Sequence, residues 1–350
     1  MFNDSPPESI CVVRLSHIGD ACHALAVIRA IQDTWPETGL TWIIGKSEAE
    51  LMADIPDIEF IIFDESRGRG GYKDLRKKLR DRHFDVTLCM HASMRANRIY
   101  RIIDTPIRLG FDRQRAHQFQ WLFTNQRIAA RQEEHVLDAM MGFARHIGVP
   151  ERRLRWDIPV SAANRKFARY YTANGRPILL ISPCGSPGAQ NFRNWSAENY
   201  AAAANHARQK FGCKVILTGT ASALEKEYGR KIVDICGPGI ENLLGQTSLK
   251  ELFALLEAAD ALLCPETGPA HMATAAGTAV IGLYATSNPA RSGPYLSRNL
   301  TVNAYPDAVG RFLGKTPGQL RWGQRVHDAA ATHLIRLKDV NEKIDQVFRS

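Results

Sequence analysis

Shortly after an apolar run at residues 10–13, the chain carries Arg14-Leu15-Ser16-His17-Ile18-Gly19-Asp20. A carboxylate here can take a proton from a bound hydroxyl as a general base. It can equally cap the helix that follows, satisfying free N–H groups and suiting the helix dipole. The neighbours favour a ligand: Gly19 allows close approach to the backbone, and Arg14, Ser16 and His17 add polar groups at the same strand end. About 245 residues later a second apolar run, 261–264, leads into Glu266-Thr267-Gly268-Pro269-Ala270-His271. A helix opening there aims its first amides at an anion. Glu266 and Thr267 can bind ribose or sugar hydroxyls, and His271, one turn in, either faces the ligand or packs.

Three further groups share this pattern. Ser182-Pro183-Cys184-Gly185-Ser186-Pro187-Gly188 is a glycine-containing turn with Arg193 and Trp195 close behind. The Gly185 and Ser186 amides can cradle a phosphate and Arg193 can add a bidentate contact, although an ordinary loop with an exposed Arg reads the same way. The turn has neither the GK[ST] ending of a Walker loop nor GxGxxG. Thr218-Gly219-Thr220, with Glu225 in the next helix, is another polar strand end. Arg113 and Arg115 follow a short strand and are the best candidates for gripping an anionic acceptor.

These turns need strands and helices to position them. Strand-like runs at 10–15, 40–44, 60–63, 84–90 and 107–109 alternate with helical patterns at 21–34, 47 onward, 72–82, 93–103 and 133–147. Residues 149–176 read as a connector with a polar helix near 162–172. The pattern then restarts, with strands at 178–182, 214–218, 261–264 and 280–284 and helices at 197–210, 221–235, 249–259, 268–276 and 339–348. Such alternation predicts parallel sheets covered by helices on both faces, and at 350 residues two such domains. Ligands in open α/β sheets sit beyond the carboxyl ends of the strands, where the turns above fall.

The net charge is +9, but residues 67–131 hold 13 Arg and 3 Lys against 5 Asp and no Glu, a net +11. A basic sector confined to one half implies an anionic partner. Nucleic acid is disfavoured, because aromatics are not interleaved with the charges as stacking platforms would require. No apolar run approaches the roughly 20 residues of a membrane span, and the polar start, MFNDSPPES, lacks a basic leader region, so a cytoplasmic protein is expected. The seven cysteines show no CxxC or metal-like spacing and read as packed free thiols.

Three segments together resemble glycosyltransferase family 9, the ADP-heptose:lipopolysaccharide heptosyltransferases, most closely the heptosyltransferase I type. They are Val13 to Asp20 with Ala24-Leu25-Ala26, Arg193-Asn194-Trp195-Ser196-Ala197-Glu198, and Glu266 to His271 with the later Asn288-Pro289-Ala290-Arg291-Ser292-Gly293-Pro294-Tyr295. The resemblance implies a GT-B fold, two Rossmann-like doubly wound domains facing a central cleft. It places an acceptor domain at 1–160 and a nucleotide-sugar domain at 161–350, whose C-terminal helix can return to the first. It implies an inverting transfer of heptose from ADP-L-glycero-D-manno-heptose to a Kdo residue, phosphorylated or not, of the Kdo-lipid A precursor, at the inner face of the inner membrane. No metal or other cofactor is required. Asp20 matches the catalytic carboxylate. Gly185, Ser186, Arg193, Thr218, Glu225, Thr247, Glu266, Thr267, Gly268, Pro269 and His271 fall to the donor, with Glu225 and Thr247 near the adenosine. Ser16, His17, Gly19, Arg113 and Arg115 fall to the acceptor. Two departures stand out: Arg193 replaces the usual Lys, exchanging a point charge for a planar fork, and Glu266 replaces the usual Asp, reaching about 1.5 Å further. The alternatives are another nucleotide-sugar transferase or epimerase of the same architecture, or a non-catalytic two-domain sugar-binding protein.

Overall fold

The structure, a computed structural model, describes residues 1–2, 5–150, 153–173, 175–185 and 192–349. Two compact units divide the chain, Met1–Pro159 and Val160–Ser350.

The first unit alternates strand and helix. Its elements are β1 (Ser9–Arg14), α1 (Ile18–Thr34), β2 (Gly39–Gly45), α2 (Lys46–Met52), β3 (Glu59–Phe63), α3 (Arg69–Lys78), β4 (Val86–Leu88), α4 (Met94–Tyr100), β5 (Ile107–Gly110), β6 (Gln126–Arg127) and α5 (Val136–Ile147). The strand order is β3-β2-β1-β4-β5-β6, all parallel. β1 is apolar from Ile10 to Val13 and buried on both faces, as the centre of a covered parallel sheet requires. Cys11, Val13, Ile43, Ile61 and Phe63 form one core with Leu75, Ile99 and Tyr100. On α1, every residue from Ala21 to Ile31 is buried, so this helix is covered nearly all round and packs against α5.

The second unit repeats the plan. It comprises α6 (Ala162–Thr172), β7 (Ile178–Ile181), α7 (Ala197–Phe211), β8 (Lys214–Leu217), α8 (Ala223–Cys236), β9 (Ile240–Asn242), α9 (Leu249–Glu257), β10 (Ala261–Pro265), α10 (Gly268–Ala276), β11 (Ala279–Tyr284), α11 (Pro289–Ser292), β12 (Val302–Asn303), α12 (Tyr305–Leu313) and α13 (Leu337–Phe348). Its order, β12-β11-β10-β7-β8-β9, is again fully parallel. Small side chains on α7 (Ala201, Ala203, Ala204, Ala207) share a core with Leu179, Ile181, Val215 and Leu263. The C-terminal helix α13 packs against α7 within this unit, burying Val340 and Ile344 in the same core.

Read from the far edge, both sheets have the order 3-2-1-4-5-6 of the doubly wound fold. The order reverses between β1 and β4 in one unit and between β7 and β10 in the other, and ligands of such sheets bind at this reversal. The expected α/β class and paired doubly wound sheets are therefore observed. The sequence reading missed three edge strands, β6, β9 and β12, and the helices α11 and α12. The missed strands have two or three residues, Gln-Arg, Ile-Glu-Asn and Val-Asn, too short to show alternation or an apolar run.

Candidate active site

In the first unit the strand ends at the order reversal are joined by side chains. The buried Arg14, last residue of β1, donates through Nη1 to the Met90 carbonyl at 2.9 Å and through Nε to the Ser16 carbonyl at 3.2 Å. Its Nη2 pairs with the Asp20 carboxylate. Asp20 lies in the first turn of α1 with its side chain partly exposed, the condition a proton acceptor for an outside hydroxyl needs.

His17 precedes α1 with φ +68° and ψ 107°, a left-handed conformation that costs an L-residue free energy and persists only where the surroundings enforce it. The buried Glu48 of α2 lies close to the backbone and charge of His17. Burial pushes the Glu48 pKa up, opposed by the backbone amides of Glu48 and His17 and by the charges of His17 and Arg14. Gly45 makes room: a Cβ there would lie 1.9 Å from the Leu15 carbonyl oxygen and 2.7 Å from Glu48 Oε2. Arg95 of α4 donates to Ser16 Oγ at 2.8 Å and pairs with Glu65. His91, just past β4, accepts the Leu15 N–H at Nδ1, 3.1 Å, and burial with the repulsion of Arg14 and His17 lowers its pKa to about 3.

The structure brings Asp20, Ser16, His17 and Gly19 of the sequence reading to this turn, together with Glu48, His91 and Arg95, which that reading did not name. His91 and Arg95 were legible in principle, since they follow the strand that flanks β1 at the reversal. Glu48 carried no signal, because a Glu in the first turn of a helix reads as a dipole partner. Of the two arginines expected to grip an acceptor, Arg113 is exposed. Arg115 is tied to Asp112, to Glu134 at 2.7 Å and to the Ala129 carbonyl at 3.2 Å.

In the second unit the reversal lies between Ser182 and Glu266. The Ser182 N–H bonds the Leu263 carbonyl at 3.1 Å, and its hydroxyl meets that of Thr218 at 2.8 Å. Glu266, past the end of β10, is the hub. It accepts from Ser292 at 2.8 Å and Arg325 at 3.2 Å, and Arg193 Nη1 lies 3.7 Å from its Oε2. Burial raises the Glu266 pKa, but Arg325, Ser292, Arg193 and Ser287 outweigh it and hold the group below the usual carboxylate range. Arg193 also donates to the Glu266 carbonyl at 3.1 Å. The longer Glu thus reaches two arginines and a serine, and Ser292 belongs to the Asn288–Tyr295 segment singled out in the sequence. Arg325, outside every motif, was missed.

Thr267 occupies the N-cap position of α10, yet its hydroxyl makes no capping bond. Gly268, Pro269 and His271 follow in the first turn, with His271 Nδ1 buried. Glu225 closes its own turn, accepting from Ser222 Oγ at 2.7 Å and the Thr220 N–H at 3.1 Å. Thr247 precedes Ser248, which with Glu251 forms the capping box of α9. The Gly185 N–H donates to Asn194 Oδ1 at 2.9 Å, so that amide is engaged within its loop. Ser186 lies outside the described residues.

Residues 72–308 match the profile of Glycosyltransferase family 9 (heptosyltransferase). The chain is 40% identical over 326 residues to the lipopolysaccharide core heptosyltransferase OpsX of Haemophilus influenzae, covering 93% of this chain and 92% of that one. Its fold is similar to that of a family 9 glycosyltransferase from Veillonella parvula, with a TM-score of 0.79 at 18% identity over 99% of this chain and 98% of that one. It is also similar to Escherichia coli heptosyltransferase WaaC with ADP, with a TM-score of 0.69 at 17% identity over 84% and 92%.

Proposed function

Because the chain belongs to glycosyltransferase family 9, the heptosyltransferases, we propose that it moves heptose from ADP-L-glycero-D-manno-heptose to a Kdo residue, phosphorylated or not, of the lipopolysaccharide inner core. The observation that carries this reading is the Asp20 carboxylate, held by Arg14 at the strand-order reversal of the first sheet.

In the reaction, Asp20 takes the proton of the acceptor hydroxyl as that oxygen forms a bond to the anomeric carbon. The bond from that carbon to the β-phosphate oxygen breaks, ADP leaves with the electron pair, and displacement from the opposite face inverts the anomeric centre. Negative charge grows on the departing diphosphate. Arg193 and the amide end of α10 at Thr267–Gly268 supply the compensating field, so no metal or other cofactor is needed. Glu266 holds Arg193 in place and, with the uncommitted hydroxyl of Thr267, presents oxygens to the heptose. His271 and Pro269 shape the same turn. Thr218, Glu225 and Thr247 line the adenosine side, with Gly185 and Ser186 in the phosphate loop. Ser16, His17 and Gly19 meet the acceptor sugar, and Arg113 and Arg115 its carboxylate or phosphate. The basic sector brings the enzyme to the anionic inner face of the inner membrane.

Calorimetric titration with ADP, UDP, GDP and NAD tests the donor. Tight binding of ADP alone is expected, and preference for UDP or GDP would overturn the donor assignment. Mass spectrometry of Kdo-lipid A incubated with ADP-heptose tests the transfer, with one added heptose expected and an unmodified acceptor counting against it.

A further inference from the structure

The loop between β5 and β6 presents three large apolar side chains to solvent: Phe119, Trp121 and Leu122, at 59%, 44% and 61% exposure. Met94, at the start of α4, is also exposed and donates its N–H to Gln118 Oε1 at 2.7 Å. Their exposure is built into the loop. Gln118 and Phe119 both have positive φ, +51° and +60°, unfavourable for residues other than glycine. Two fully buried amides enforce it. Asn97 Nδ2 donates to the Gln118 carbonyl at 2.8 Å. Gln120 donates to the Cys89 carbonyl at 2.8 Å and accepts the Phe111 N–H at 3.1 Å. The loop is thus fixed from beneath while its apolar side chains stay outside.

The rim of this patch is positive. Of the five arginines at 105–132, Arg115 pairs with Asp112 and Glu134, and Arg131 lies 3.9 Å from Glu134. Arg98, Arg101 and Arg113 are exposed, with Arg101 5.5 Å from the Phe123 ring centre. Arg98 lies one helical turn from Met94 on the same face of α4. Aromatic and leucine side chains ringed by arginine match the interface of an anionic bilayer, apolar below and negative above. A second copy of the chain would bring the same positive rim against itself.

We infer that Phe119, Trp121 and Leu122 form a wedge that inserts into the headgroup region of an anionic lipid bilayer. Gln120 anchors the wedge to the end of β4, and Met90, just past that end, accepts from the Arg14 that holds Asp20. A lipid-borne acceptor would therefore leave the membrane beside the carboxylate. The inference deepens the membrane contact of the proposed function and rests on that reading. Vesicles without any sugar acceptor make its failure distinguishable from failure of the transferase reading.

The test is flotation of the full chain with vesicles of phosphatidylglycerol and phosphatidylcholine, against phosphatidylcholine alone. Binding is expected to the mixed vesicles, reduced by about tenfold or more in the Trp121→Ser/Leu122→Ser double variant and retained in Trp121→Phe. Brominated lipid should quench the wild-type fluorescence and lose part of that effect in Trp121→Phe, which isolates the Trp121 contribution. Equal binding by wild type and the double variant would overturn the wedge, as would quenching unchanged in Trp121→Phe. Retained vesicle binding with loss of a wild-type dimer in the double variant would assign the patch to self-association instead.

Discussion

Arg14 and Asp20 pair across the turn that joins β1 to α1, and the same guanidinium holds the Met90 carbonyl beyond β4 at 2.9 Å. The carboxylate is thereby fixed to both strands of the order reversal rather than to its own helix alone. The N-cap of α1 is His17, not Asp20; as a first-turn dipole partner Asp20 would contribute only to stability, and as a base it contributes to turnover. Asp20→Ala is expected to leave ADP affinity unchanged and to lower kcat by about 10²–10⁴-fold. Titration calorimetry and a heptose-transfer assay check the two halves, and normal turnover would leave Asp20 a first-turn partner of the helix dipole.

Glu48 is expected to act on the same carboxylate indirectly, through its buried position against the turn where His17 is left-handed. Glu48→Ala removes that buried carboxylate and lets the start of α1 relax. A displacement of about 1 Å at a reacting group can cost up to 10²-fold, so kcat should fall by about tenfold or more with ADP affinity intact. Glu48→Gln keeps an acceptor oxygen and should recover most of the loss. If both variants lose activity only in proportion to a lowered melting temperature, the role is structural.

How much of this was legible follows from which signals are local. The strand-then-polar-turn patterns at 10–20 and 261–271 fall at the two order reversals, because buried parallel strands are continuous apolar runs that stand out in the sequence. The edge strands β6 and β12, two residues each, have no pattern to detect. Arg325 was invisible for another reason. It reaches Glu266 across 59 residues of sequence, and only the folded chain brings the two together. Glu225 was legible as a residue near the turn, but not as the acceptor that closes it.

Arg193 lies beside Glu266, where burial disfavours its charge and the carboxylate supports it. A guanidinium in that position is suited to meet a diphosphate. Arg193→Ala is expected to weaken ADP binding by about 10–100-fold, the range of a hydrogen bond to a charged group. Arg193→Lys should lose less, since it keeps the charge without the planar fork. Unchanged ADP affinity in the alanine variant, read by calorimetry, would remove Arg193 from the donor site.

His91 gives the first unit a defined sensitivity to acid. Its pKa falls from 6.5 to about 3 on folding, through burial first and then the charges of Arg14 and His17. Its Nδ1 must also stay unprotonated to accept the Leu15 N–H. Between those two values the unfolded chain binds the proton and the folded chain does not. Stability is therefore intact above about pH 6.5 and declines as the pH falls toward 3, by up to about 1.4 kcal/mol per pH unit from this group. His91→Asn removes the titration while leaving a side-chain oxygen that can accept the same N–H. Urea unfolding at a series of pH values should show a shallower decline for the variant, whatever its stability at neutral pH. Parallel curves for the two proteins between pH 6 and 4 would mean that His91 takes up its proton in the folded state.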